Sequence, residues 1–207
     1  KGQFTQMLAM LVPYFLLLYI FAGSMGLGID TTAGEKERGS LSILLVNQVS
    51  RTSIALGKIL YLMLMSILTS VLNLVGLVIG LYLEMSFLGE ANMPFSVELD
   101  AIGYLLLFIT VILLALISSG IIIFIGILAR SVKEASGYIT PIYMIILLFG
   151  ISTMQSEGSK AFYYYAIPFI NIIFTMKDIF IGTFSVANFL TMLVVNSALV
   201  VLFVYLT

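Results

Sequence analysis

Long apolar runs, broken by short polar ones, set the pattern of this chain. A helix crosses a bilayer core with about 20 consecutive apolar residues. Five runs meet or approach that length: residues 7–28, 59–83, 101–129, 138–154 and 186–206. The third carries no formal charge and is long enough to tilt or to continue past the interface. The fourth is the shortest and places Pro141 in about its first turn, where a missing N–H matters less. Pro13 falls inside the first run and predicts a kink there. The expectation is five full spans.

Residues 162–185, FYYYAIPFINIIFTMKDIFIGTFS, are apolar but do not read as a clean span. Pro168 interrupts them, and Lys177 and Asp178 lie deep inside. A Lys or Asp at the centre of a span costs about 2.5–3.5 kcal/mol on insertion scales. A re-entrant or interfacial helical pair avoids most of that cost, because broken backbone is tolerated where protein or an aqueous cavity satisfies it. The alternative is one more tilted helix with Lys177 paired to a partner. The re-entrant pair is the expectation carried forward. Tyr163, Tyr164 and Tyr165 at its start read as an aromatic belt at the outer interface.

Composition sharpens the class. The chain is 61% hydrophobic and 9% charged, against about a quarter charged in soluble domains, and its mean hydropathy is +1.19. Nine basic and ten acidic residues give a net charge of -1, which leaves no basic field for nucleic acid. Cys and His are absent, which excludes disulfide scaffolds, thiol nucleophiles, imidazole bases and Cys or His metal sites. The fold expected is all-α: a polytopic transmembrane helix bundle forming one domain over residues 1–207, with the lipid bilayer as its surroundings.

Charge in the loops sets the expected orientation. Lys36, Arg38, Arg51 and Lys58 fall in residues 30–58, whereas residues 84–100 hold Glu84, Glu90, Glu98 and Asp100 and no base. Arg130 and Lys133 mark the next loop, and Lys160 stands alone beyond it. The positive-inside rule places residues 30–58 and 130–137 in the cytoplasm. Lys1 is then outside, and the chain lacks the charged, apolar and cleavage regions of a signal peptide. An earlier span missing upstream, so that this is an N-terminally truncated fragment, is the simplest expectation.

The first cytoplasmic loop holds a charged block ahead of an apolar one. Asp30 or Thr31 can cap a new helix. Glu35, Lys36, Glu37 and Arg38 follow, then Leu41 to Val46. The segment 31–47 is too short and too charged to span and reads as an interfacial helix. Gly39 lets the chain bend, and Glu35 and Arg38 are spaced to pair across one face. It serves either as a plain amphipathic anchor or as a docking element for a cytoplasmic partner.

GEKERGSLSILL, residues 34–45, resembles the signature of membrane (permease) subunits in the second exporter class of the ABC transporter superfamily. That signature is close to Gly-Glu-Lys-Glu-Arg-Gly-Thr-Leu-Glu-x-Leu-Leu. Gly34, Glu35, Lys36, Glu37, Arg38, Gly39, Leu41, Leu44 and Leu45 match it, while Ser40 and Ser42 replace Thr and Glu. Gly57–Lys58 matches the "GK" that opens the family's next span. Ile167, Pro168, Asn171, Lys177, Asp178 and Gly182 resemble the Ile-Pro-x-x-Asn…Lys-Asp/Glu…Gly stretch of the sodium-efflux (NatB-like) branch. The two motifs stand in the expected order, and the resemblance covers essentially the whole chain. It lacks the family's first span and that branch's large outer domain.

The resemblance implies a permease with no ATP site of its own, working as a homodimer or pseudo-dimer beside an ABC nucleotide-binding subunit that binds ATP. Gly34, Glu35, Lys36, Glu37, Arg38 and Gly39 would couple to that ATPase. Pro168, Asn171, Lys177 and Asp178 would form the outer gate. The chain has no G-x-x-x-x-G-K-[ST] run, so energy must come from another polypeptide. No catalytic residue, metal ligand or cofactor-binding residue is expected in this chain.

Within the spans, Asn73, Asn196 and the hydroxyls of Ser66, Thr69, Ser70, Ser118 and Ser119 are either helix–helix glue or the lining of a path. Ser24 and Gly28, and Gly76 and Gly80, are spaced for close helix approach, either within the chain or across a dimer contact. The expected function is a permease of an ATP-driven exporter, with sodium ions as the candidate cargo. Export of drugs, peptides or lipids, and a stand-alone channel or carrier, are the alternatives. An intramembrane enzyme lacks its residues, because His is absent and the acids fall in loops, apart from Asp178 in the broken stretch.

Overall fold

The computed structural model describes residues 3–40, 50–87, 99–154 and 161–206. Every regular element among them is helical. Helix α1 (Gln3–Ile29) runs on through a π-helical turn (Asp30–Gly34) into Glu35–Glu37. Then come α2 (Arg51–Phe87), α3 (Ala101–Leu128), α4 (Val132–Met154), a 3-10 turn (Phe162–Ala166), α5 (Ile170–Ile181) and α6 (Val186–Leu206). Among the described residues, five stretches are long and apolar enough to cross a membrane: Ala9–Glu37, Thr52–Gly76, Ala101–Leu128, Val132–Met154 and Val186–Leu206.

Helix α1 packs on α2, α3, α4 and α5, while α3 also meets α2 and α6. Leu17, Ile20 and Phe21 of α1 meet Ala115, Ile117 and Ile122 of α3 and Ile172, Ile173 and Met176 of α5 in one buried cluster. Lipid is as apolar as these side chains, so close approach between backbones holds such helices together. A Cβ at Gly28 would run into Ile122, and one at Gly126 into Thr32, so α1 and α3 touch at two successive places. Tyr14 of α1 lies over Gly150 of α4 in the same way, 2.6 Å from where a Cβ would stand.

Three expectations change here. No capped helix begins at Asp30 or Thr31: the helix continues through them without a break, and Thr31 and Thr32 turn their hydroxyls back to the carbonyls of Leu27 and Gly28 rather than forward to cap a new one. Of the segment 31–47, residues 41–47 lie outside the described ones. Helix α4 begins at Val132, so Pro141 sits in its third turn and not its first. Its start is capped: Ser131 Oγ accepts from the N–H of Glu134 at 3.2 Å, and the Glu134 carboxylate accepts from the N–H of Arg130 at 2.7 Å. Among the described residues, nothing stands within 4 Å of a Cβ at Gly76 or Gly80, so the expected packing within the chain is not formed there. They share an open face of α2 with Leu64, Leu68, Leu72 and Val75, all exposed.

Candidate functional site

Polar side chains gather at two places, and α4 runs between them. At its N-terminal end lie the charges of the first motif. Lys36, half-buried, donates from Nζ to the carbonyl of Ile127 and, at 3.2 Å, to that of Ala129. Those are the last carbonyls of α3, where a cation also complements the helix dipole. Glu37 Oε2 accepts from the N–H of Val132 at 3.0 Å, which puts a carboxylate on the first residue of α4. Glu35 pairs with Lys58 of α2 at 2.5 Å, and Lys58 also donates to the carbonyl of Thr31 inside the π-helical turn. Arg38 pairs with Asp30 at 2.7 Å, both well exposed. The expected Glu35–Arg38 pair is therefore replaced. The π-helical turn brings Asp30 beneath Arg38, and Lys58 reaches Glu35 from the neighbouring helix.

The two motif glycines have different reasons. A Cβ at Gly34 would stand 3.0 Å from Asp30 Oδ1 and 3.1 Å from Arg38 Nη2, so glycine leaves that ion pair room to lie flat on the helix. Gly39 has φ +75° and turns the chain away after Arg38.

At the other end of α4, the short helix α5 is buried from Ile170 to Phe180. Lys177, 1% exposed, donates to the carbonyl of Thr153 and, at 3.2 Å, to that of Met154. It thus serves the C-terminus of α4 as Lys36 serves that of α3. Asp178, also buried, accepts from the Tyr165 hydroxyl and from Thr183 Oγ1 at 3.0 Å. Gly182, at φ +83°, closes the helix by donating from its N–H to the carbonyl of Asp178 at 2.8 Å. Asn171 and Asn196 exchange amide hydrogen bonds at 3.4 and 3.3 Å, and Asn171 also donates to the carbonyl of Tyr165 at 3.2 Å. Pro168 and Phe169 form the entry. Phe169, at φ +64°, is strained as few non-glycine residues are.

The structure brings Asn171, Lys177, Asp178 and Asn196 into one buried region and leaves Asn73 out of it. Asn73 is exposed on α2 and donates to the carbonyl of Thr69 on its own helix, at 2.8 Å. Tyr165 leaves the expected aromatic belt: Tyr163 is exposed, whereas Tyr165 is fully buried against Asp178. Asp30, Lys58, Tyr165 and Thr183 are the partners that sequence reading did not assign. For α4 a signal was present, since Ser131-Val132-Lys133-Glu134 has the spacing of a capping box.

The described residues thus form a helix bundle of five candidate membrane spans, with charged helix caps at one end and a buried polar cluster at the other. The family model described as "ABC-2 family transporter protein" matches residues 1–206, and the chain belongs to that family. It is 31% identical over 196 residues to the ABC transporter permease protein NatB of Bacillus subtilis (strain 168), an alignment covering 92% of this chain and 49% of NatB. The chain thus spans about half the length of that curated relative. No solved structure matches it. It is a multi-pass membrane protein and an ABC-2 type permease.

Proposed function

We propose that this permease domain, residues 1–207, forms the translocation path of an ATP-driven exporter, and that an ABC ATPase subunit docks at the end of α1. The supporting observation is that α1 runs unbroken from the bundle into Glu35–Glu37, ending in the exposed Arg38 and Asp30. A helix end held against its neighbours, with exposed charge at its tip, suits a soluble partner. In this reading residues 30–58 and 130–137 face the cytoplasm and the Lys1 end lies outside. The meeting of Lys36 with Ala129 and of Glu37 with Val132 supports that arrangement, since both segments then share one side.

The buried end is the outer gate in this proposal. Helix α5 has 12 residues and rises about 18 Å, short of the roughly 30 Å of hydrocarbon. The 3-10 turn and α5 form a re-entrant pair that keeps Lys177 and Asp178 satisfied by protein. Two copies of the permease complete the exporter, with sodium ions the candidate cargo on the resemblance to the sodium-efflux branch. The test is reconstitution of the native protein with its candidate ATPase in liposomes. ATP-dependent sodium movement supports the full reading. ATPase stimulation by a drug, peptide or lipid, without sodium movement, keeps the exporter and replaces the cargo. If no ATPase binds, the exporter reading is lost.

A further inference from the structure

The first motif is charged, and its charges invite the reading of a docking surface. The geometry gives two of them another task. Lys36 and Glu37 are neighbours of opposite sign, and they face neighbouring helix ends of opposite sign. Lys36 sits on the last carbonyls of α3, and Glu37 on the first N–H of α4. Between those ends lie only Ala129, Arg130 and Ser131. One dipeptide therefore grips a whole interhelical turn by both sides, each contact charge-assisted and each complementing a helix dipole. Ala129 is fully buried beneath that grip.

Helix α4 then extends to the second cluster. Its N-terminal N–H is held by Glu37, and its C-terminal carbonyls are held by Lys177 from α5. Both caps come from outside the helix, and both match its dipole. The two caps join the end of α1, α4 and the seat of Lys177 in one continuous chain of contacts.

We propose that Lys36 and Glu37 are positioning residues that strap the α3–α4 turn to the end of α1, making α4 the link between the ATPase-facing segment and the gate. Arg38 and Asp30 are left to meet the partner. This rests on the exporter reading above, but its physical core does not.

The test uses the native protein in nanodiscs, first alone and then with its candidate ATPase. Lys36→Met and Glu37→Ala each remove one side of the grip, Lys36→Arg preserves it, and Arg38→Ala serves as the surface control. Without the ATPase, amide exchange is followed over residues 129–135. Loss of a charge-assisted bond should raise exchange there by about tenfold or more in the first two variants and leave Lys36→Arg near wild type. With the ATPase, Lys36→Met and Glu37→Ala should lower transport per ATP hydrolysed more than they lower partner binding, whereas Arg38→Ala should weaken binding most. Unchanged exchange over residues 129–135 overturns the strap. So does a loss of ATPase binding in Lys36→Met as large as in Arg38→Ala, for that makes Lys36 a docking residue. If the wild type binds no ATPase, the exporter reading fails and the exchange measurement still decides the strap.

Discussion

Lys36 and Lys177 do the same chemistry in two different surroundings. Each sends its ammonium to the last carbonyls of a helix that is not its own. Lys36 remains partly exposed among other charged side chains, whereas Lys177 is 1% exposed on a helix buried along nearly its whole length. Around Lys36, water can replace any lost partner. Around Lys177 and Asp178 it cannot, so carbonyls, the Tyr165 hydroxyl and the Thr183 hydroxyl must do so. The same bond is thus an adjustable contact at one end of α4 and a structural requirement at the other.

That contrast breaks most visibly at Asp178. Asp178→Ala removes the buried carboxylate that accepts from the Tyr165 and Thr183 hydroxyls, and should cost about 3 kcal/mol or more. Thermal unfolding in detergent measures it, and an unchanged midpoint would mean that the cluster is not structural. Next comes the backbone contact near the charged end. Gly126→Ala drives a methyl into Thr32 and should cost about 1–3 kcal/mol, with partial recovery when Thr32→Ala is added. Failure of the second change to help would show that the α1–α3 contact is not where the strain falls. The amide pair should be weaker. Asn171→Leu and Asn196→Leu should each cost more than half of what the double variant costs, with a coupling near the 0.6 kcal/mol or so typical of bonds between membrane helices. Strict additivity in that cycle would refute the pairing. Smallest of all is Arg38→Ala in the permease alone: an exposed pair contributes about 0.2–1 kcal/mol, so stability should hardly move. A large loss there would erase the distinction between the two ends.

Much of this was legible from the residues, and the misses have physical causes. Hydropathy marks where lipid is, not where helices begin. It found the five membrane helices but began the fourth at residue 138, because Lys133 and Glu134 are polar though helical. It ended the first at residue 28, because Asp30, Thr31 and Thr32 resemble a stop. The two threonine hydroxyls instead bond backward to carbonyls of α1, so neither caps a new helix. The charges of both motifs were visible as unusual residues in apolar surroundings. Their partners were not. Glu35 finds Lys58 on the next helix, Asp178 finds Tyr165 across a turn, and Asn171 finds Asn196 on α6. Local spacing suggests partners three or four residues away, whereas a packed bundle supplies them from any strand of chain that passes close by.

The π-helical turn at Asp30–Gly34 carries a consequence of phase. A widened turn takes up one residue beyond the α-helical repeat, and each residue of an α-helix advances the azimuth by about 100°. The surplus residue is absorbed within Asp30–Gly34, so Lys36 and Glu37 keep the azimuth they would have on a regular helix one residue shorter. Deleting one residue inside the turn should close it to an α-turn and leave both side chains facing the α3–α4 turn. Deleting one from the regular helix just before it should swing them by more than a quarter of a revolution. Among related chains, length should therefore vary more readily inside this turn than beside it.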